Sequence, residues 1–88
     1  MGVAGLRDAF NSVGAPRYAA TMAFMSTERA DGAEWSRLRF SGIGSDGSAF
    51  EVASDRIPAG ADVFLAAKAT AQKLIDAAPA APEGGPTP

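Results

Sequence analysis

Reactive side chains are scarce in this chain, and their types narrow what it can do. It contains no histidine and no cysteine. The usual physiological-pH base, the thiolate nucleophile and the two commonest transition-metal ligands are therefore missing. Carboxylates remain. Glu51 and Asp55 share one face of a predicted strand, where paired acids could do proton-transfer work. Arg37 and Arg39 face the same way on the neighbouring strand, so cross-strand ion pairing explains the same four residues. No segment is left over to build a pocket that would desolvate an acid, and ion pairing is the preferred reading.

Two short motifs reduce to ordinary chain geometry. Gly42-Ile43-Gly44-Ser45-Asp46-Gly47 spells G-x-G-x-x-G. A dinucleotide site needs a helix after that motif, so that the helix N-terminus meets pyrophosphate; here a strand follows, and hairpin geometry accounts for the glycines. Pro79-Ala80-Ala81-Pro82 matches P-x-x-P, but its nearest basic anchor, Lys73, lies inside a helix. No D-x-[DN]-x-[DN]-G calcium loop occurs. No catalytic constellation, cofactor or metal site is expected, and the chain is read as a non-enzyme.

Trp35 is the residue singled out for binding. Trp and Arg are the types richest in interface hot spots, and Trp35 falls on the same strand face as Arg37 and Arg39. The expected partner-binding set is Met25, Trp35, Arg37, Arg39 and Ile57, with Met25 and Ile57 flanking the indole on the two adjacent strands. That face is expected to point away from the helices.

The elements that position these residues follow from periodicity and turn chemistry. Val3, Leu6, Phe10 and Val13 have the spacing of one helical face over residues 3–13, with Gly14 as a left-handed cap and Pro16 blocking continuation. Residues 17–26 read as a strand, with Ala20, Met22 and Phe24 on one face and Thr21, Ala23 and Met25 on the other. Residues 27–33 read as a turn around Asp31-Gly32. A second strand spans 34–42, with Leu38 and Phe40 on the core face, and a third spans 48–57. A three-residue loop, Ser45 to Gly47, pairs Phe40 with Val52, Gly42 with Phe50 and Arg37 with Asp55, which keeps apolar residues apart from charges. A helix over 61–78 follows, with Asp62 near its start and Phe64, Ala67, Ala71, Leu74 and Ala78 as its buried stripe. Residues 79–88 hold four of the six prolines and read as a disordered tail, so the domain is 1–78. The predicted fold is α+β, in the order α-β-β-β-α: a three-stranded antiparallel sheet in order 1-2-3 with both helices on one face.

Composition bounds the function further. Eight Lys+Arg against ten Asp+Glu give a formal net charge of -2, without the basic excess of a typical nucleic-acid binder. The hydrophobic fraction is 47%, but about half of it is alanine, which buries little area. Self-association or a partner is a reasonable source of further burial. No apolar run is long enough to span a bilayer and no basic leader precedes one, so a soluble cytoplasmic protein is expected.

The order of elements over residues 3–78 resembles the double-stranded RNA-binding domain fold. The resemblance is one of topology. It implies phosphate contacts from a basic cluster at the start of the second helix, where this chain reads Ala61-Asp62-Val63-Phe64-Leu65. No functional residue of that family carries over. Two functional expectations result. The first is a small non-catalytic protein-binding module acting through the open sheet face: an adaptor, an assembly subunit, or an inhibitor of the anti-CRISPR kind that mobile elements carry. Its partner is another protein or a second copy. The alternative is nucleic-acid binding, with Arg29, Arg37 and Arg39 on phosphate and Trp35 stacked on a base.

Overall fold

A computed structural model describes residues 3–14 and 16–77. The elements in chain order are α1 (Val3–Gly14), β1 (Tyr18–Ala30), β2 (Ala33–Gly44), β3 (Ala49–Ala53), β4 (Ile57–Pro58) and α2 (Val63–Ala77). The sheet is antiparallel in the order β1-β2-β3, and the two-residue β4 pairs with β2 beyond the end of β3. This is the α+β layout read from the sequence, with the third strand divided in two. The tail at 79–88 and the helical position Ala78 lie outside the described residues.

The first hairpin is longer and tighter than expected. Asp31 and Gly32 both have positive φ, 54° and 76°, the backbone of a two-residue type I′ turn that suits the strand twist. That turn pairs Ala30 with Ala33 and so dictates Glu28 opposite Trp35 and Met25 opposite Leu38. Met25 is therefore not beside Trp35. It stands on the helix-bearing side of the sheet, on the outer strand opposite the buried Leu38, and is 56% exposed. Further back the register slips between Ala20 and Met22. This bulge at Thr21 turns Ala20 inward while Met22 and Phe24 point outward, so these three do not share a face. Gly42 sits against the bulge: a Cβ there would lie 2.3 Å from the Ala19 carbonyl oxygen and 2.9 Å from Ala20 Cα.

The second hairpin has the predicted register. Phe40 pairs with Val52 and Gly42 with Phe50, and Gly47 takes the left-handed conformation at φ 87°. The loop closes through Gly44 N–H donating to Ser48 O at 2.8 Å. The ladder then breaks at Ser54. Its N–H donates to Leu38 O at 2.8 Å, but its hydroxyl, not its carbonyl, accepts from Leu38 N–H at 2.9 Å. The Ser54 carbonyl instead accepts from Arg37 Nη1 at 3.0 Å. When pairing resumes, Ile57 lies opposite Ser36 and Pro58 opposite Trp35. One residue has been inserted, and every later side chain changes face. Ile57 is consequently in the core at 6% exposure, not on the open face beside Trp35. Arg37 and Asp55, expected to pair, are separated by the same slip.

Both helices cover one face of the sheet. Leu6 and Phe10 from α1, Ala67 and Ala71 from α2, and Ala20, Ala23, Leu38, Phe40 and Ile57 from the sheet form the core. Phe10 stacks on Phe40 with centroids 4.5 Å apart, and Tyr18 meets Phe50 edge-on at 5.4 Å. The alanine stripe brings α2 close against α1 more than against the sheet, with Ala67 and Ala71 fully buried. Asp62 caps α2, its Oδ1 accepting from Phe64 N–H at 2.9 Å and Leu65 N–H at 3.2 Å. Gly14 closes α1 without the expected left-handed cap, since the left-handed glycines among the described residues are Gly32, Gly47 and Gly60.

Candidate protein-interaction surface

The sheet face opposite the helices is built by alternation. β1 contributes Met22, Phe24, Ser26 and Glu28; β2 contributes Trp35, Arg37, Arg39, Ser41 and Ile43; β3 contributes Glu51. Trp35, Arg37 and Arg39 are thus on the face the sequence assigned them. Met25 and Ile57 are not.

This face has two halves of different chemistry. Toward the Asp31-Gly32 turn, Glu28 binds two arginines at once, Arg37 Nε at 2.9 Å and Arg56 Nε at 3.1 Å. The slip at Ser54 throws Arg56 onto this face, where its guanidinium lies 5.9 Å from the centre of the Trp35 ring, within cation–π range. Trp35 is half-buried under it, and its indole N–H is buried with no acceptor among the described residues. The hydrogen bond from Arg37 is the main reason the Glu28 carboxyl is held below its ordinary value; in turn, Glu28 raises the Arg37 guanidinium. Glu28, Arg37 and Arg56 satisfy one another, and the indole beside them is partly shielded.

Toward the other end the face is apolar and uncovered. Met22 and Phe24 are each 51% exposed and Ile43 is 50% exposed. Arg39 stands directly opposite Phe24 and pairs loosely with Glu51 at 3.5 Å, both side chains being half in solvent. Glu51 and Asp55, weighed above as paired acids, are not brought together. Asp55 is turned to Lys73 on α2 at 3.3 Å. Phe24, Met22 and Ile43 were missed by sequence reasoning. The signal was present in Asp31-Gly32: taken as a two-residue turn, it fixes the register that turns Met22 and Phe24 outward.

A shallow groove of about 260 Å³ lies between the β3–β4 connection and α2. Its polar groups are largely occupied: Lys73 Nζ donates to Ala53 O at 3.1 Å, and the Thr70 hydroxyl to Ala66 O at 2.7 Å. Among the described residues no helix is long and apolar enough to cross a membrane. Comparison with protein-family models, with curated proteins and with solved structures finds no match to this chain.

Proposed function

We propose that this protein is a small binding module that docks another protein on the open sheet face, as an adaptor or an inhibitor. Met22, Phe24 and Ile43 form the apolar centre, and Arg39 with Glu51 forms the polar margin. The observation that carries this reading is the clustering of three half-exposed large apolar side chains on the sheet face opposite both helices. Exposed apolar patches rimmed by polar residues mark interaction sites, and an aromatic at the centre beside an arginine is hot-spot chemistry. Nucleic-acid binding finds less support, because Arg29, Arg37, Arg39 and Arg56 each already face a glutamate.

The test compares the protein with a Phe24→Ser/Ile43→Ser variant that keeps its melting temperature. A protein partner recovered by crosslinking should bind the parent and lose at least tenfold in affinity to the variant, with weak salt dependence. Unchanged affinity in the variant would overturn the proposal. So would retardation of labelled RNA or DNA at low salt that collapses as salt rises.

A further inference from the structure

The outer edge of β1 supports an inference distinct from the face contact. Ala30 and Ala33 flank a two-residue turn, so they form a hydrogen-bonded pair. Every second residue back along β1 then bonds to β2: Glu28, Ser26, Phe24 and Met22. The N–H and C=O groups of Ala23, Met25, Thr27 and Arg29 point the other way. Among the described residues, no backbone group outside the sheet bonds to them. One turn earlier the same edge is closed by α1. The Asn11 side chain accepts from Ala20 N–H at 2.7 Å and donates to Ala20 O at 3.2 Å, and Arg7 reaches Thr21 O at 3.4 Å.

Beyond that seal, among the described residues, nothing covers the strand. Edge strands are ordinarily blunted by charge, proline, shortness or a cover. The stretch Thr21–Thr27 has no charged residue and no proline. It also holds Met22, Phe24 and Met25, three of the five exposed large hydrophobics among the described residues. An open backbone ladder flanked by apolar side chains is a template for a strand.

We propose that this edge pairs antiparallel with the same edge of a second copy, with Phe24 on the two-fold axis. Register selects the occupant. Outward-pointing residues must meet outward-pointing residues, which leaves few alignments. Centring on Met25 sets Met22 against Glu28 of the partner subunit, and centring on Ser26 sets Phe24 against that carboxylate. Centring on Ala23 drives Ser26 onto Ala20 of the partner subunit, where Asn11 already occupies the edge. Centring on Phe24 pairs Phe24 with itself, Met22 with Ser26 and Ala23 with Met25, and ends short of both the charges and the seal. An uncharged strand meets its own copy without like-charge repulsion, and the copy supplies matching apolar surface. Three half-exposed side chains offer about 100 Å² each, so the interface is at the small end and the dimer weak. Met22 and Phe24 belong to both contacts, whereas Arg39, Ile43 and Glu51 stay clear of this edge and belong to the face contact alone.

The absence of cysteine makes the register directly testable. Residues facing across the axis in a non-hydrogen-bonded pair have Cα atoms about 4.5 Å apart, within disulfide range. Phe24→Cys should form a disulfide dimer on mild oxidation with unchanged circular dichroism. Ser26→Cys, on the same strand face, and Ile43→Cys, on the same sheet face, should stay monomeric. In sedimentation equilibrium from about 1 µM to about 1 mM, the range of a small interface, the parent should show monomer and dimer, and Phe24→Lys monomer alone. A parent that is monomeric throughout, or Ser26→Cys or Ile43→Cys crosslinking as fast as Phe24→Cys, would overturn the proposal. Ile43→Ser keeps the edge intact, so a dimer that persists while partner binding is lost separates this contact from the face contact.

Discussion

The Ser54 hydroxyl accepts the Leu38 N–H at 2.9 Å, taking the place its own carbonyl would hold in an unbroken ladder. The carbonyl freed by this exchange accepts from Arg37, and the hydroxyl in turn donates to Asp55 O at 2.8 Å. One serine thereby ends β3, inserts a residue before β4, buries Ile57 and delivers Arg56 to the open face. The half of the open face around Trp35 takes its composition from this local exchange.

Ser54→Ala is therefore expected to destabilise the fold by about 1–3 kcal/mol, because it leaves the buried Leu38 N–H without an acceptor. Chemical denaturation of the parent and variant measures this. A midpoint unchanged within error would mean that the hydroxyl does not sustain the break.

Ile57 and Phe24 should respond oppositely to truncation. Ile57→Ala removes a core side chain and is expected to cost about 2–5 kcal/mol. Phe24→Ala acts at a half-exposed site and is expected to stay within about 0.5 kcal/mol in a dilute monomer. Thermal melts of the two variants decide the assignment of faces; a larger loss at Phe24 would place that ring in the core.

Gly42→Ala should be among the most damaging small substitutions. The added methyl would meet main-chain atoms of Ala19, Ala20 and Thr21 at 2.3, 2.9 and 3.0 Å. Backbone cannot step aside as a flexible side chain can, so a loss above about 3 kcal/mol is expected. Amide exchange along β1 should accelerate around the Thr21 bulge. A variant as stable as the parent would show that the two strands do not approach so closely.

Acid should weaken the Glu28 cluster. The Glu28 carboxyl is held below its ordinary value of 4.5, chiefly by the hydrogen bond from Arg37. A depressed folded-state value contributes stability that is present above the unfolded value and is lost as pH falls through the folded one. Stability should decline as pH is lowered through and below 4.5, and Glu28→Gln should remove part of that decline. Melting curves from neutral to strongly acid pH check this, and identical slopes in both proteins would exclude Glu28 as a contributor.

Much of the fold was legible in the sequence because the signals were local. The 3,4 spacing in α1, the Asp62 cap, the alanine stripe of α2 and the Ser45–Gly47 loop each act over a few residues. Trp35, Arg37 and Arg39 were placed correctly because Leu38 and Phe40 between them could only face the core. Met25 and Ile57 were misplaced because each lies beyond an irregularity that alternation does not foresee. For Met25 it was a turn two residues long instead of seven, and for Ile57 a serine side chain standing in for a backbone carbonyl.

The order of elements, the inward side of β2 and the lack of imidazole and thiol chemistry were thus determined by residue types and their spacing. Tertiary structure alone decided what lies beyond each break in the strand pairing. Strand pairing transmits a one-residue slip to every later position, and the two slips, at Thr21 and Ser54, are set by contacts between strands distant in the chain. The slip at Thr21 turned Ala20 inward, and the slip at Ser54 buried Ile57 and set Arg56 over Trp35.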